Sequence, residues 1–100
     1  MGGKMNKAKR EDNKLLKVNK PKALERDHYR CVLCGSSDGI AVHHIVFRSR
    51  SGKSNLDNLA CLCMHCHVPI AHGVNAKEVR LKLQEIISER TKRYEENQCS

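Results

Sequence analysis

The sequence predicts a small α+β domain, a β-hairpin set between two cysteine knuckles and flanked by helices. Three observations carry that expectation. A β-branched run at residues 40–47 (IAVHHIVF) and a shorter apolar run at 56–62 read as two strands joined by a polar connection. Two C-x-x-C pairs, Cys31/Cys34 and Cys63/Cys66, bracket that hairpin. A segment beginning Asn75-Ala76-Lys77-Glu78 resembles a capping box and opens a helix to about Tyr94.

One hundred residues make one domain with a thin core: 39% are hydrophobic, and the only aromatic residues are Tyr29, Phe47 and Tyr94. Such a core needs a staple. Residues 1–20 are basic and hold no apolar run, so no secretory signal is read there. No stretch approaches the ~18 apolar residues of a membrane span. The expected compartment is therefore reducing and cytoplasmic, where paired cysteines serve as metal ligands rather than disulfides. The formal charge of +8 points to nucleic acid as the partner, ahead of an anionic membrane surface.

Three units follow in order. Residues 1–20 carry Lys4, Lys7, Lys9, Arg10, Lys14, Lys17 and Lys20 and read as a flexible basic arm or marginal helix lying along phosphates. Residues 21–74 form the core. Pro21 suits the first turn of a helix, and residues 22–28 continue it. Residues 29–32 read as extended, and Gly35 closes a tight turn behind Cys34. Residues 48–55 (RSRSGKSN) form a polar loop, and residues 64–72 a short helix with Pro69 near its start and Gly73 at its end. Residues 75–100 supply a supporting helix and tail, with Val79, Leu83, Ile86, Ile87 and Tyr94 near one face.

Cys31, Cys34, Cys63 and Cys66 make the tetrahedral S4 set that zinc prefers. A closed S4 site leaves no open position, so this zinc is expected to be structural. Cys61 reads as a core residue and Cys99 as an inert tail thiol.

Four of the six histidines lie between His43 and His67. His67 follows Cys66, so the knuckle fixes its backbone and returns it toward the His43-His44 strand. Neighbours on a regular strand face opposite ways. Either the strand twists or bulges there, or a metal sits at its edge, with one histidine binding it and the other facing a water. Neutral imidazole serves both roles.

His43-His44-Ile45, Asn58-Leu59 and Leu62-Cys63-Met64-His65-Cys66-His67, behind the Cys31/Cys34 knuckle, resemble the HNH endonucleases, in particular their zinc-knuckle branch common in bacterial and phage genomes. The resemblance covers about residues 22–73. It implies a ββα-metal (His-Me finger) fold. It also implies His43 and His67 as ligands of one catalytic divalent metal, His44 as general base, and Asn58 as a hairpin residue that orients the strand or His44. His72 falls five residues after His67 where some members have a ligand at four. That is about 140° off the face in a regular helix, so its role stays open. His65 is expected to face solvent. Arg48, Arg50 and Lys53 suit either a phosphate clamp or a solvated loop.

The implied activity is metal-dependent hydrolysis of DNA phosphodiesters, by nicking or double-strand cleavage, leaving 5′-phosphate and 3′-hydroxyl ends. The metal is Mg²⁺, Mn²⁺, Ni²⁺ or Zn²⁺. The rival reading is a non-catalytic, zinc-stabilised DNA-binding module. A chain this short is expected to read little sequence unless a homodimer or partner protein adds surface. Its setting would be a bacterial cell or a phage-infected host.

Overall fold

The two apolar runs pair as an antiparallel hairpin, β1 (Ala41–His44) with β2 (Leu59–Leu62), in the computed structural model, which describes residues 7–67 and 75–98. The register is regular, with Ala41 opposite Leu62, Val42 opposite Cys61, His43 opposite Ala60 and His44 opposite Leu59. Both strands are shorter than their apolar runs. Past Ile45, whose N–H still donates to the Asn58 carbonyl, the backbone ladder gives way to a side chain: Val46 N–H donates to Asn58 Oδ1 at 2.9 Å, and Asn58 Nδ2 donates to the Val46 carbonyl at 3.1 Å. Leu56–Asn58, expected to begin the second strand, forms a 3-10 turn closed by Asn58 N–H on the Asn55 carbonyl at 2.8 Å.

All four residues of β2 are buried, so both faces of the hairpin are covered there. Ala60 and Leu62 point into the main core with Cys31, Val32, Ile45 and Cys63. Leu83 and Ile87 of the last helix, α2 (Ala76–Gln98), complete that core, and Val79 and Ile86 pack at its margin. The expected docking face of this helix is therefore the one that docks. Leu59 and Cys61 share the opposite face by strand alternation. There Cys61 is fully buried, its sulfur 3.5 Å from the Ala23 carbonyl, as expected of a core cysteine.

Ala23 belongs to α1 (Lys7–Arg26), and here the sequence expectation is corrected. Of the two readings of this segment, residues 7–20 take the helical one, but not as a unit separate from a helix that starts at Pro21. One continuous helix runs through Pro21. A helix-interior proline costs about 3 kcal/mol, because it removes one hydrogen bond and crowds the preceding turn. Docking offsets that cost. Asn19, Ala23 and Arg26 are buried on one face, which continues through Leu16 to Asp12 at spacings of three and four. Lys7, Arg10, Lys14 and Lys17 form an exposed stripe on the other side of the helix.

The end of α1 is tied down by a buried ion pair. Arg26 donates from Nε and one terminal nitrogen to the two carboxylate oxygens of Asp27, at 2.9 and 2.8 Å. Its remaining hydrogens reach the Leu56 carbonyl (2.8 Å), the Leu59 carbonyl (2.5 Å) and Thr91 Oγ1 (3.0 Å). Asp27 also accepts from the Cys61 N–H at 3.2 Å. Buried charges are tolerated when every hydrogen-bonding position is used, and this pair joins α1, β2 and α2 through such bonds. The helix expected to reach residue 28 ends at Arg26, and Tyr29 is not extended as expected: His28 and Tyr29 both adopt φ 57°, a left-handed turn that redirects the chain from α1 into the first knuckle.

Gly52 fixes the path of the long hairpin connection. Its N–H donates to the Phe47 carbonyl at 2.9 Å, and a Cβ at this position would lie 1.8 Å from the Val46 carbonyl oxygen. Only glycine lets the connection fold back so closely on the end of β1. The expected helix over 64–72 is helical through residues 64–67; His72, Pro69, Gly73 and Cys99 lie outside the described residues. Among the described residues no helix is long and apolar enough to cross a membrane.

Candidate metal centres and active site

Each C-x-x-C folds as a turn that aims two sulfurs one way. In the first knuckle Gly35 N–H donates to the Cys31 carbonyl at 2.9 Å, and Gly35 takes φ 78°, where glycine is favoured. In the second, Cys66 and His67 N–H groups both donate to the Cys63 carbonyl, at 3.2 and 3.0 Å. Val32 N–H donates to the Cys61 carbonyl at 3.0 Å and brings the knuckles together across β2. The sulfurs of Cys31, Cys34, Cys63 and Cys66 then lie within 4.8 Å of one another. A tetrahedron of Zn–S bonds spaces its sulfurs at about 3.8 Å, so the four cysteines are positioned to bind a metal ion, and zinc fits.

The protonation preferences of these thiols conflict. Burial pushes Cys31 up, but backbone N–H groups around it more than offset this and bring it down to about 6. Burial and the crowding sulfurs push Cys66 up. Four thiolates cannot share so small a volume without a cation between them.

The second cluster begins on β1. With a regular register and no bulge, His43 and His44 go to opposite faces. His43 lies on the face of Ala60, where its ring meets His67 edge-on at 4.8 Å between centroids and Phe47 at 5.6 Å. His43 is 9% exposed, and its Nε2 is buried with no hydrogen-bond partner among the described residues. A buried ring nitrogen left unpaired is costly unless something else binds it. Burial, then the neighbouring His67 and His44 rings, push its pKa down to about 4, so the ring is neutral and free to act as a ligand. His67 is exposed, so the pair opens to solvent on one side. The donor chemistry of two adjacent imidazoles is that of a divalent-metal site.

Residues 31–71 match the HNH endonuclease family. That match supports a nuclease. A solved structure, the Type IV phosphorothioation-dependent restriction endonuclease ScoMcrA, shares the fold with a TM-score of 0.57 at 20% identity, over 82% of this chain and 17% of that one. The chain thus spans only a small part of that protein's length. No curated protein matches the chain.

In the HNH segment His44 takes the other face of β1, half-buried toward α1. Its Nε2 lies 2.9 Å from Ser54 Oγ. Burial and the Arg48 charge lower its pKa, with Asp12 opposing in part, so this ring too is neutral near pH 7. The hydrogen bonds of the Asn58 side chain go to Val46 and Lys53, not to His44. Asn58 donates to the Val46 and Lys53 carbonyls and accepts from Val46, while Ile45 N–H donates to its backbone carbonyl at 2.9 Å. It thus holds both the end of β1 and the loop that carries Ser54. His65 is exposed, as expected.

Three residues around His44 escaped the sequence reading: Asp12, Asn19 and Ser54. Arg48, read as a phosphate clamp or loop residue, instead pairs with Asp12 at 3.0 Å and donates to Asn13. Burial would raise Asp12, but hydrogen bonds from the Ser54 N–H and hydroxyl, and the Arg48 charge, lower it overall. Arg50 and Lys53 remain exposed. The spacing of Asp12, Asn19, Ala23 and Arg26 on one helical face was the available signal, but that face is mostly polar.

Proposed function

We propose that this chain is a metal-dependent DNA endonuclease with His44 as general base. The observation that carries the reading is the buried Nε2 of His43, which has no hydrogen-bond partner among the described residues and lies beside His67. His44 sits next in the chain and is held neutral by burial and Arg48. A phosphodiester lying across this end of the hairpin meets both imidazole sites. His44 accepts a proton from water as its oxygen attacks phosphorus in line, and the bond from phosphorus to the 3′ oxygen breaks. The departing oxygen takes a proton from solvent, leaving 5′-phosphate and 3′-hydroxyl ends. A divalent metal held by His43 and His67, such as Mg²⁺, Mn²⁺, Ni²⁺ or Zn²⁺, would supply charge neutralisation at the phosphate. His72 stays a candidate further ligand. Zinc bound by Cys31, Cys34, Cys63 and Cys66 would hold His67 in place, with no open position for the chemistry.

DNA is the substrate that suits the charge. The +8 excess and the exposed stripe of Lys7, Arg10, Lys14 and Lys17 provide a surface for phosphates. Lys9, Arg48 and Lys53 line a groove between α1 and the hairpin connection. Such a reaction belongs in the cytoplasm of a bacterial cell or phage-infected host. Long sequence readout would need a second copy or a partner protein.

The test follows binding and cleavage in one preparation. Zinc-loaded protein is titrated onto duplex DNA at increasing salt, then incubated with supercoiled plasmid and Mg²⁺, Mn²⁺ or Ni²⁺. Steep loss of affinity with salt, together with nicking or linearisation, is the expected result. Binding without cleavage under every metal would instead establish a non-catalytic zinc module.

A further inference from the structure

Ser54 is fully buried, and α1 takes up its polar atoms. Its N–H donates to Asp12 Oδ1 at 2.7 Å, and its hydroxyl donates to Asp12 Oδ2 at 2.8 Å. Its carbonyl accepts from Asn19 Nδ2 at 2.9 Å. Asp12 and Asn19 stand seven residues apart, two helical turns along one face. What remains of Ser54 is the lone-pair side of Oγ, and His44 Nε2 sits there at 2.9 Å.

The direction of these bonds is constrained. An ionised carboxylate only accepts, and a hydroxyl has one hydrogen to give. The Ser54 hydrogen therefore goes to Asp12, and Ser54 Oγ accepts from His44. That places the imidazole hydrogen on Nε2 and leaves the lone pair on Nδ1. We propose that Asp12 and Ser54 are positioning residues for His44, locking its ring and making Nδ1 the atom that takes the proton. This rests on the reading of His44 as general base. It also gives α1, which lies outside the matched residues 31–71, a part in the reaction. Arg48 braces the arrangement by pairing with the same Asp12 oxygen that accepts the Ser54 hydroxyl.

Without the Ser54 hydroxyl the ring can rotate, and either nitrogen can carry the hydrogen. Substrate binding does not use this buried contact, so the loss should fall on turnover. The experiment compares wild type, Ser54→Ala, Asp12→Asn and His44→Ala, each zinc-loaded, on supercoiled plasmid with Mn²⁺. For Ser54→Ala, kcat should fall about 10–100-fold, the size of loss seen when the partner that orients a metal-bound histidine is removed, with KM within about threefold. Nitrogen-15 spectra of the His44 ring should show the Nε2–H tautomer in wild type and a mixture in Ser54→Ala. Should Ser54→Ala fail to fold, Asp12→Asn, which keeps the side-chain volume, is read by the same two measurements. Wild-type kcat with an unchanged tautomer would overturn the proposal. The two levels separate cleanly. If His44→Ala still cleaves, the assignment of the base is wrong. If His44→Ala is inactive while Ser54→Ala turns over normally, only the positioning role is wrong.

Discussion

Replacing His44 with alanine should lower the rate of DNA cleavage by about 10²–10⁴-fold, the usual contribution of a general base. The variant should still bind DNA, because the basic stripe of α1 is untouched. It should also keep its zinc, because the four clustered cysteines lie in the knuckles while the His44 ring bonds Ser54. The size of the effect follows from how the ring is prepared. His44 is half-buried and neutral near pH 7, so it can accept a proton without first losing one. Its Nε2 lies 2.9 Å from Ser54 Oγ, so the proposed base is left with one nitrogen to take the proton. The measurement is a single-turnover nicking rate beside a binding isotherm. Equal rates for the variant and wild type would place the base elsewhere.

Loss of the cysteine-bound metal should have an equally large effect, but on folding. Cys63 is fully buried and Cys31 nearly so, and both belong to the central hydrophobic cluster. Structural zinc in small domains supplies about 10–16 kcal/mol of apparent binding energy. That is as large as the whole stability of an ordinary domain, about 5–15 kcal/mol. Cys63→Ser, or strong chelation of wild type, should therefore abolish the cooperative thermal transition seen by circular dichroism. Cys61→Ala is the control. Cys61 is just as buried, but its sulfur lies against the Ala23 carbonyl, outside the four-sulfur cluster. That variant should keep one zinc per chain and a transition, at reduced stability. A Cys63→Ser protein melting at the wild-type midpoint would show that metal does not hold the fold.

The cysteine clamp was legible in the sequence because its signal is local. Two residues between cysteines fix each turn, and four such cysteines have few other uses. The hairpin was legible from its β-branched runs. Its ends were not, because they depend on Asn58 replacing backbone partners at Val46. The separation of His43 from His44 was half legible. Period-two alternation offered the split, but only the pairing of His43 with Ala60 and His44 with Leu59 decides which ring meets His67 and which meets α1. The docking of helix α1 and its continuity through Pro21 were the main miss. Its docking face consists of Asp12, Leu16, Asn19, Ala23 and Arg26, so it carries little hydrophobic periodicity. It is tied down by buried and part-buried hydrogen bonds to partners 30 or more residues away in the chain. Such long-range polar contacts leave no trace in local composition. Pro21, read as the start of a helix, concealed it further.

The central claim is that His43 and His67 hold the divalent metal that makes this chain a nuclease. Its most direct test is the plasmid-nicking rate against Mn²⁺ concentration, for wild type and His67→Ala, with zinc content verified in both. The expected result is no cleavage without added Mn²⁺, saturation in wild type, and a curve moved at least tenfold to higher Mn²⁺ or lost altogether in His67→Ala. Cleavage independent of added metal, or identical curves for the two proteins, would contradict it.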